Sequence, residues 1–212
     1  MDFFETKGRA IAASWLLLLI GFFLIAGYFG GSKLYADKIE TLQRHEARLD
    51  PHKTEQGRTR VDLAELEKMD SDTYDTVYVG IYLDRILDIS TKATSWTADL
   101  YIWFKWRNDS LDPGETFQII NGEVQSKTKL EQTTEDGLHY ALYRVTARMT
   151  KFFNVVRYPV DNHLLTIRIE DGDHLWNRLR YTPGENGAEY SSRVEVPGYR
   201  LQQAEMVSKP HA

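Results

Sequence analysis

From Trp96 to Trp106 every second residue is apolar: Trp96, Ala98, Leu100, Ile102, Phe104 and Trp106 share one parity. Thr97, Asp99, Tyr101, Trp103 and Lys105 share the other. A period of two with apolar residues on one parity predicts a strand with one buried face. From Tyr74, the residues Val77, Val79, Ile81 and Leu83 predict another. Tyr143, Val145, Ala147 and Met149 oppose Arg144, Thr146 and Arg148, and Leu165, Ile167 and Ile169 oppose Thr166, Arg168 and Glu170, which predicts strands over Tyr140–Met149 and Leu164–Glu170. Further strands are expected at Thr116–Ile120, Glu123–Lys129, Leu179–Tyr181 and Tyr199–Met206. The turn signals between them are Asp112-Pro113-Gly114, Asn121-Gly122, Asp136-Gly137, Asp171-Gly172-Asp173 and Pro183-Gly184. Many short strands at this spacing predict a mainly β fold, an immunoglobulin-like antiparallel β-sandwich.

The pattern before Tyr74 is different. Ala10 to Tyr28 carries no charge and has the length a helix needs to cross a bilayer core of ~30 Å. Trp15 and Tyr28 lie toward its ends, where aromatic rings favour the interface. Gly30-x-Ser32 matches a signal-cleavage site poorly, so a retained anchor is expected. Lys7 and Arg9 precede the span and Lys33, Lys38, Arg44 and Arg48 follow it, so the flanking charges do not fix its orientation. From Lys33 to Leu49, Tyr35, Ile39, Leu42 and Leu49 keep rough helical spacing. This segment is either a solvated stalk or a helix packing on copies of itself, and Pro51 ends it. Thr54–Arg60 reads as linker and Val61–Met69 as a helical turn or two. Three segments result: 1–32, N-terminal segment and anchor; 33–70, charged helical stalk and linker; 71–212, a β-sandwich incomplete at its C-terminal end.

Composition narrows the chemistry. The chain has 212 residues with a net charge of −5, which gives no reason to expect a nucleic-acid partner. It has no cysteine, so disulfides, thiolate catalysis and Cys-zinc sites are excluded. The six histidines are scattered, and no His-Glu-x-x-His, Gly-x-Ser-x-Gly or phosphate-binding glycine loop is present. No enzymatic activity, cofactor or metal centre is expected. Glu170-Asp171-Gly172-Asp173-His174 gathers three carboxylates and an imidazole. It is either a solvated turn or a weak cation- or proton-responsive site.

The order of motifs carries a resemblance. Val77-x-Val79-x-Ile81 is followed by Ile86-x-Asp88-Ile89, then by Trp96-x-x-Asp99-Leu100-Tyr101-Ile102-Trp103-Phe104-Lys105-Trp106-Arg107-Asn108-Asp109. Phe117-x-Ile119-Ile120-Asn121 comes later, and then the Tyr143-Arg144 strand leading to Tyr158-Pro159-Val160-Asp161. From about Tyr74 to Met206 this series resembles the extracellular ligand-binding domain of pentameric ligand-gated ion channels, most closely the prokaryotic members that lack the Cys-loop disulfide.

The resemblance implies a membrane receptor whose β-sandwich lies outside the cytoplasm, assembled as a homo-pentamer, with a small-molecule or cation ligand bound between subunits. It implies that Tyr158, Pro159 and Asp161 form the tip of the loop coupling binding to the pore, with Asp88 of the first hairpin beside it. In the family an arginine before the first pore helix meets these acids; here its place falls beyond Ala212, leaving Arg157 or water as a partner. Tyr101 matches a ligand-site aromatic on the complementary face, and Trp103 lies on the same side of the strand; these rings serve either the ligand or the packing between subunits. The family's principal face departs here: Ile120 stands at its first-loop aromatic, and the Asp171, Asp173 and His174 loop lacks a tryptophan. Pore helices are absent from this sequence, so it reads either as an N-terminal fragment of a channel subunit or as a truncated, membrane-anchored relative. The alternative is a membrane-anchored β-sandwich that binds a partner without channel activity.

Overall fold

The computed structural model describes residues 2–50, 74–156, 158 and 161–209. The expected linker at 54–60 and helical turns at 61–69 lie outside the described residues, as do Arg157, Pro159 and Val160. The chain forms two compact units, one ending at Glu46 and the other beginning at Ala47.

The first unit is helical. Helix α1 (Asp2–Leu49) runs without a break across the boundary expected at residue 32, so anchor and stalk are one element. Its 48 residues extend about 72 Å at ~1.5 Å each, more than twice a bilayer core of ~30 Å. The charged half stays helical because residues 32–49 contain neither proline nor glycine. Arg48 in the last turn suits the negative end of the helix dipole, and Arg44 pairs with Glu40 one turn earlier. From Ile11 onward the helix is long and apolar enough to cross a membrane. Its large apolar side chains, Trp15, Leu17, Phe23 and Phe29 among them, are exposed on all sides, a surface suited to lipid rather than water.

The second unit is mainly β. A five-stranded sheet is built from β1 (Asp75–Ser90), β2 (Ser95–Trp106), β4 (Gly122–Glu135), β5 (Leu138–Thr150) and β7 (Leu179–Tyr190), in the order β4-β5-β2-β1-β7. A two-stranded sheet pairs β3 (Phe117–Ile119) with β6 (Ile169–Asp171), and a single helical turn, α2 (Pro113–Thr116), precedes β3. The core is the predicted parity of β2 together with Val77, Val79, Tyr143, Val145, Ala147 and Met149, covered by Phe117, Ile119, Phe153 and Leu179. Asp136 and Gly137 have φ of 49° and 71°, as a two-residue type I′ turn requires, and they fix the β4–β5 register.

Four expectations change. The sheet is mixed rather than antiparallel, because β7 pairs parallel to β1. A parallel partner needs a crossover, and the chain makes it through β6 and the second layer. Pro183-Gly184 is no turn between strands. It lies inside β7, where the register jumps from Val79↔Pro183 to Ile81↔Ala188 and the intervening residues bulge. The strand expected at Leu164–Glu170 shortens to β6, although Leu165, Ile167 and Ile169 still pack on the core. Tyr199–Met206 is irregular, with one bridge between Val196 and Tyr199.

The edge strand β4 is exposed along its length except for half-buried Val124, and it is bulged at Val124/Ser126 and Lys129/Glu131. Lys127 and Lys129 pair with Val145 and Tyr143 and so point to the core side. The Lys127 ammonium lies 5.4 Å from the Phe117 ring centre and donates to Glu115 at 3.0 Å.

Candidate functional site

Because the even parity of β2 is buried, its odd parity forms the outward face of the sheet. Tyr101 stands there between Tyr82 of β1 and Arg144 of β5, and Trp103 between Gly80 and Leu142. Trp103 is half-buried because its indole lies over bare backbone. A Cβ on Gly80 would come within 2.1 Å of the ring, and one on Gly184 within 1.9 Å. The β7 bulge brings Gly184 to that place.

Both rings already have cations beside them. The Lys105 ammonium is 5.3 Å from the Trp103 ring centre and 5.9 Å from that of Tyr140. The Arg144 guanidinium is 6.0 Å from Tyr101, whose other neighbour, Tyr82, is 6.3 Å away.

Beneath Arg144 is Asp99, whose side chain is 4 % exposed. Arg144 donates to both its oxygens, Nε reaching Oδ1 at 3.2 Å and Nη2 reaching Oδ2. Arg85 Nη2 donates to Oδ2 at 2.7 Å. The hydrogen bonds from Arg144, opposed by burial and joined by those from Arg85, hold the Asp99 carboxyl below the usual carboxylate range. Arg85 also lies 3.4 Å from Asp84, which accepts a hydrogen bond from Arg193 at 3.0 Å. An alternating ladder, Arg144–Asp99–Arg85–Asp84–Arg193, therefore crosses the outward face. The acids are sunk, and the guanidinia are exposed by 43, 54 and 77 % at Arg144, Arg85 and Arg193. A guanidinium held by a buried acid keeps its remaining donors aimed at solvent with little freedom left to lose.

Sequence reasoning singled out Tyr101 and Trp103 but missed this ladder. Its signal was Asp99 itself, an acid in mid-strand where acids are depleted. Its arginine partners become visible only with the register.

The hairpin joining β1 to β2 and the segment after β5 meet at one end of the sheet, where the Lys151 N–H donates to the Thr94 carbonyl at 2.7 Å. Asp88 is exposed near the end of β1, opposite Thr97. Tyr158 is exposed, and Pro159 lies outside the described residues. Asp161 turns inward, its side chain 2 % exposed. Its Oδ2 is 2.6 Å from His163 Nε2 and accepts from the Tyr199 hydroxyl at 3.4 Å. Its Oδ1 is buried with no hydrogen-bond partner among the described residues. Burial, with Asp161 alongside, pushes the Tyr199 phenol up. Phe153 packs edge-on against His163 at 5.2 Å. Among the described residues no hydrogen bond or ion pair joins Asp88 to Asp161.

The acidic loop is arranged around Asp171. Its carboxylate, 2 % exposed, accepts from the Thr116 hydroxyl, from Tyr181 at 3.1 Å, from the Asp173 and His174 amides at 3.0 and 2.8 Å, and contacts His174 Nδ1 at 2.9 Å. Burial pushes this carboxyl up, but the hydrogen bonds from Thr116, His174 and the amides outweigh it and leave the group below its ordinary value. Burial, and Asp171 beside it, push the Tyr181 phenol up. The His174 ring meets the Asp171 carboxylate, and Asp173 reaches it through its backbone amide while its side chain is exposed. Among the described residues no group of three or more histidines and acids could hold a metal ion.

No protein-family model matches the chain, and no curated protein is similar enough to count as a match.

Proposed function

We propose that the chain is the ligand-sensing part of a membrane receptor of the pentameric ligand-gated channel type, as the order of its motifs suggests. The outward sheet face is the sensor, and the loop around Tyr158 and Asp161 is the output. The observation that carries this reading is that β2 and β5 run unbroken from one to the other. Six residues separate Tyr101 from Ser95 at the hairpin end, about 20 Å of continuous strand. A shift of β2 or β5 at the face is transmitted along a hydrogen-bonded ladder to the end where Thr94 holds Lys151.

The site's own charges favour one kind of ligand. A bare cation would compete with Lys105 and Arg144 for the rings they occupy. A ligand carrying a carboxylate or phosphate beside an apolar part meets exposed guanidinium donors above the tyrosine pair.

The test is the mass of the full chain purified in mild detergent, measured by native mass spectrometry. Five copies per particle are expected. A monomer at all concentrations refutes the receptor assembly and leaves a membrane-anchored binding module.

A further inference from the structure

We propose that the segment following β5 docks on the surface of a lipid bilayer through Phe152, Val155, Val156 and Tyr158. These four side chains are 76, 48, 79 and 74 % exposed. Single exposed apolar residues are ordinary, whereas several on one short loop mark a surface that something covers. Burying one such side chain is worth about 1.5–3 kcal/mol, so a loop free to collapse would tuck some of them away.

The loop is built to hold them out. Asn154 Oδ1 accepts the Val156 N–H at 3.1 Å, and the Val155 carbonyl accepts the Tyr158 N–H at 3.1 Å, which closes a turn. Phe153 points the other way, into the core, and rests on His163, itself held by buried Asp161. The base is fixed, and the apolar tip is displayed.

The chemistry of the tip favours lipid. It mixes aliphatic groups with one phenyl and one phenol ring, the kind of ring that settles at the level of lipid headgroups. Lys92 is exposed in the neighbouring hairpin, whose Thr94 carbonyl accepts the Lys151 N–H at the start of the loop, while the Lys151 ammonium lies inward over the Phe153 ring at 5.3 Å. An apolar tip beside an exposed cation is the arrangement of an interfacial anchor. The same chain carries a helix long and apolar enough to cross a membrane, so a bilayer accompanies the domain wherever that helix is inserted. This inference concerns the bilayer itself and does not depend on how many copies assemble.

The chain has no cysteine, so a single one introduced as Val156→Cys accepts an environment-sensitive dye at one position. The labelled full chain is reconstituted into phosphatidylcholine vesicles, with and without lipid bearing a nitroxide near the headgroup. A blue-shifted emission that loses most of its intensity with the nitroxide lipid is expected. The same dye at Thr133→Cys, exposed on β4 toward the other end of the sheet, keeps its intensity. Adding Phe152→Ser and Tyr158→Ser to the first protein, with its circular dichroism unchanged, restores much of the lost emission. A dye at 156 that emits as in water and is quenched by iodide alone overturns the proposal. So does a blue-shifted dye blind to the nitroxide lipid, because the loop is then covered by protein, whether a second copy or other helices.

Discussion

Replacing Asp99 by asparagine keeps the shape of the side chain and one acceptor oxygen but removes the charge that Arg144 and Arg85 share. A hydrogen bond to a charged group is worth about 1.5–3 kcal/mol and a neutral one about 0.5–1.5; counted once for each half-exposed guanidinium, although Arg144 makes two of the three bonds, the loss is about 2–3 kcal/mol. The figure of about 3–5 kcal/mol for breaking a fully buried pair is an upper bound here. Both guanidinia are half-exposed and turn into water once released. Urea unfolding of the full chain in detergent micelles, followed by near-ultraviolet circular dichroism, measures the loss. With a slope of about 1–3 kcal/mol per molar urea, the midpoint falls by about 1 M.

The pH dependence supplies a second check. The Asp99 carboxyl is lowered in the folded state, so its stabilisation is complete above the unfolded value and disappears as pH falls through the folded one. The gap between wild type and Asp99→Asn therefore narrows below about pH 4. A variant within about 0.5 kcal/mol of wild type at neutral pH, or a gap that persists undiminished in acid, refutes the ladder as a stabilising element.

Two further predictions concern packing and the acidic loop. Gly184→Ala drives a Cβ into the Trp103 indole and costs about 1–3 kcal/mol by urea unfolding, while the same change beside Trp103→Ala costs much less; equal costs in both backgrounds would show that the ring is not the obstacle. Asp171→Asn leaves Thr116, Tyr181 and two amides with a weaker acceptor and costs about 1–3 kcal/mol at neutral pH. Because the Asp171 carboxyl is also lowered on folding, that cost too shrinks as pH falls below about 4, and a cost independent of pH would contradict the hydrogen-bonded hub.

The strands with one buried face were legible because burial imposes parity, as the zero exposure of Ala98, Leu100, Ile102 and Phe104 shows. Asp136-Gly137 was legible because few residues accept positive φ twice in succession. The parallel pairing of β7 was hidden, since Pro183-Gly184 signals a turn and only tertiary context turns it into a bulge around Trp103. The continuity of α1 was hidden because a change from apolar to charged residues marks a change of solvent, not the end of a helix. At the site, Tyr101 and Trp103 could be read from β2 alone. The ladder through Arg85, Arg144 and Arg193 could not, because its members come from four separate stretches of chain. Asp171 looked like a loop carboxylate, yet Thr116 and Tyr181, distant in sequence, draw it inward.

Proteins confined to a membrane meet one another in two dimensions, at local densities that solution proteins seldom reach. An open sheet border under those conditions invites zippering from one molecule to the next. Here β4 carries two bulges and turns Lys127 and Lys129 toward the core side, where Glu115 and the rings of Phe117 and Tyr143 hold them. A neighbour adding a strand there would have to match the bulged register and bring ammonium groups together, so this border resists fibril-like stacking.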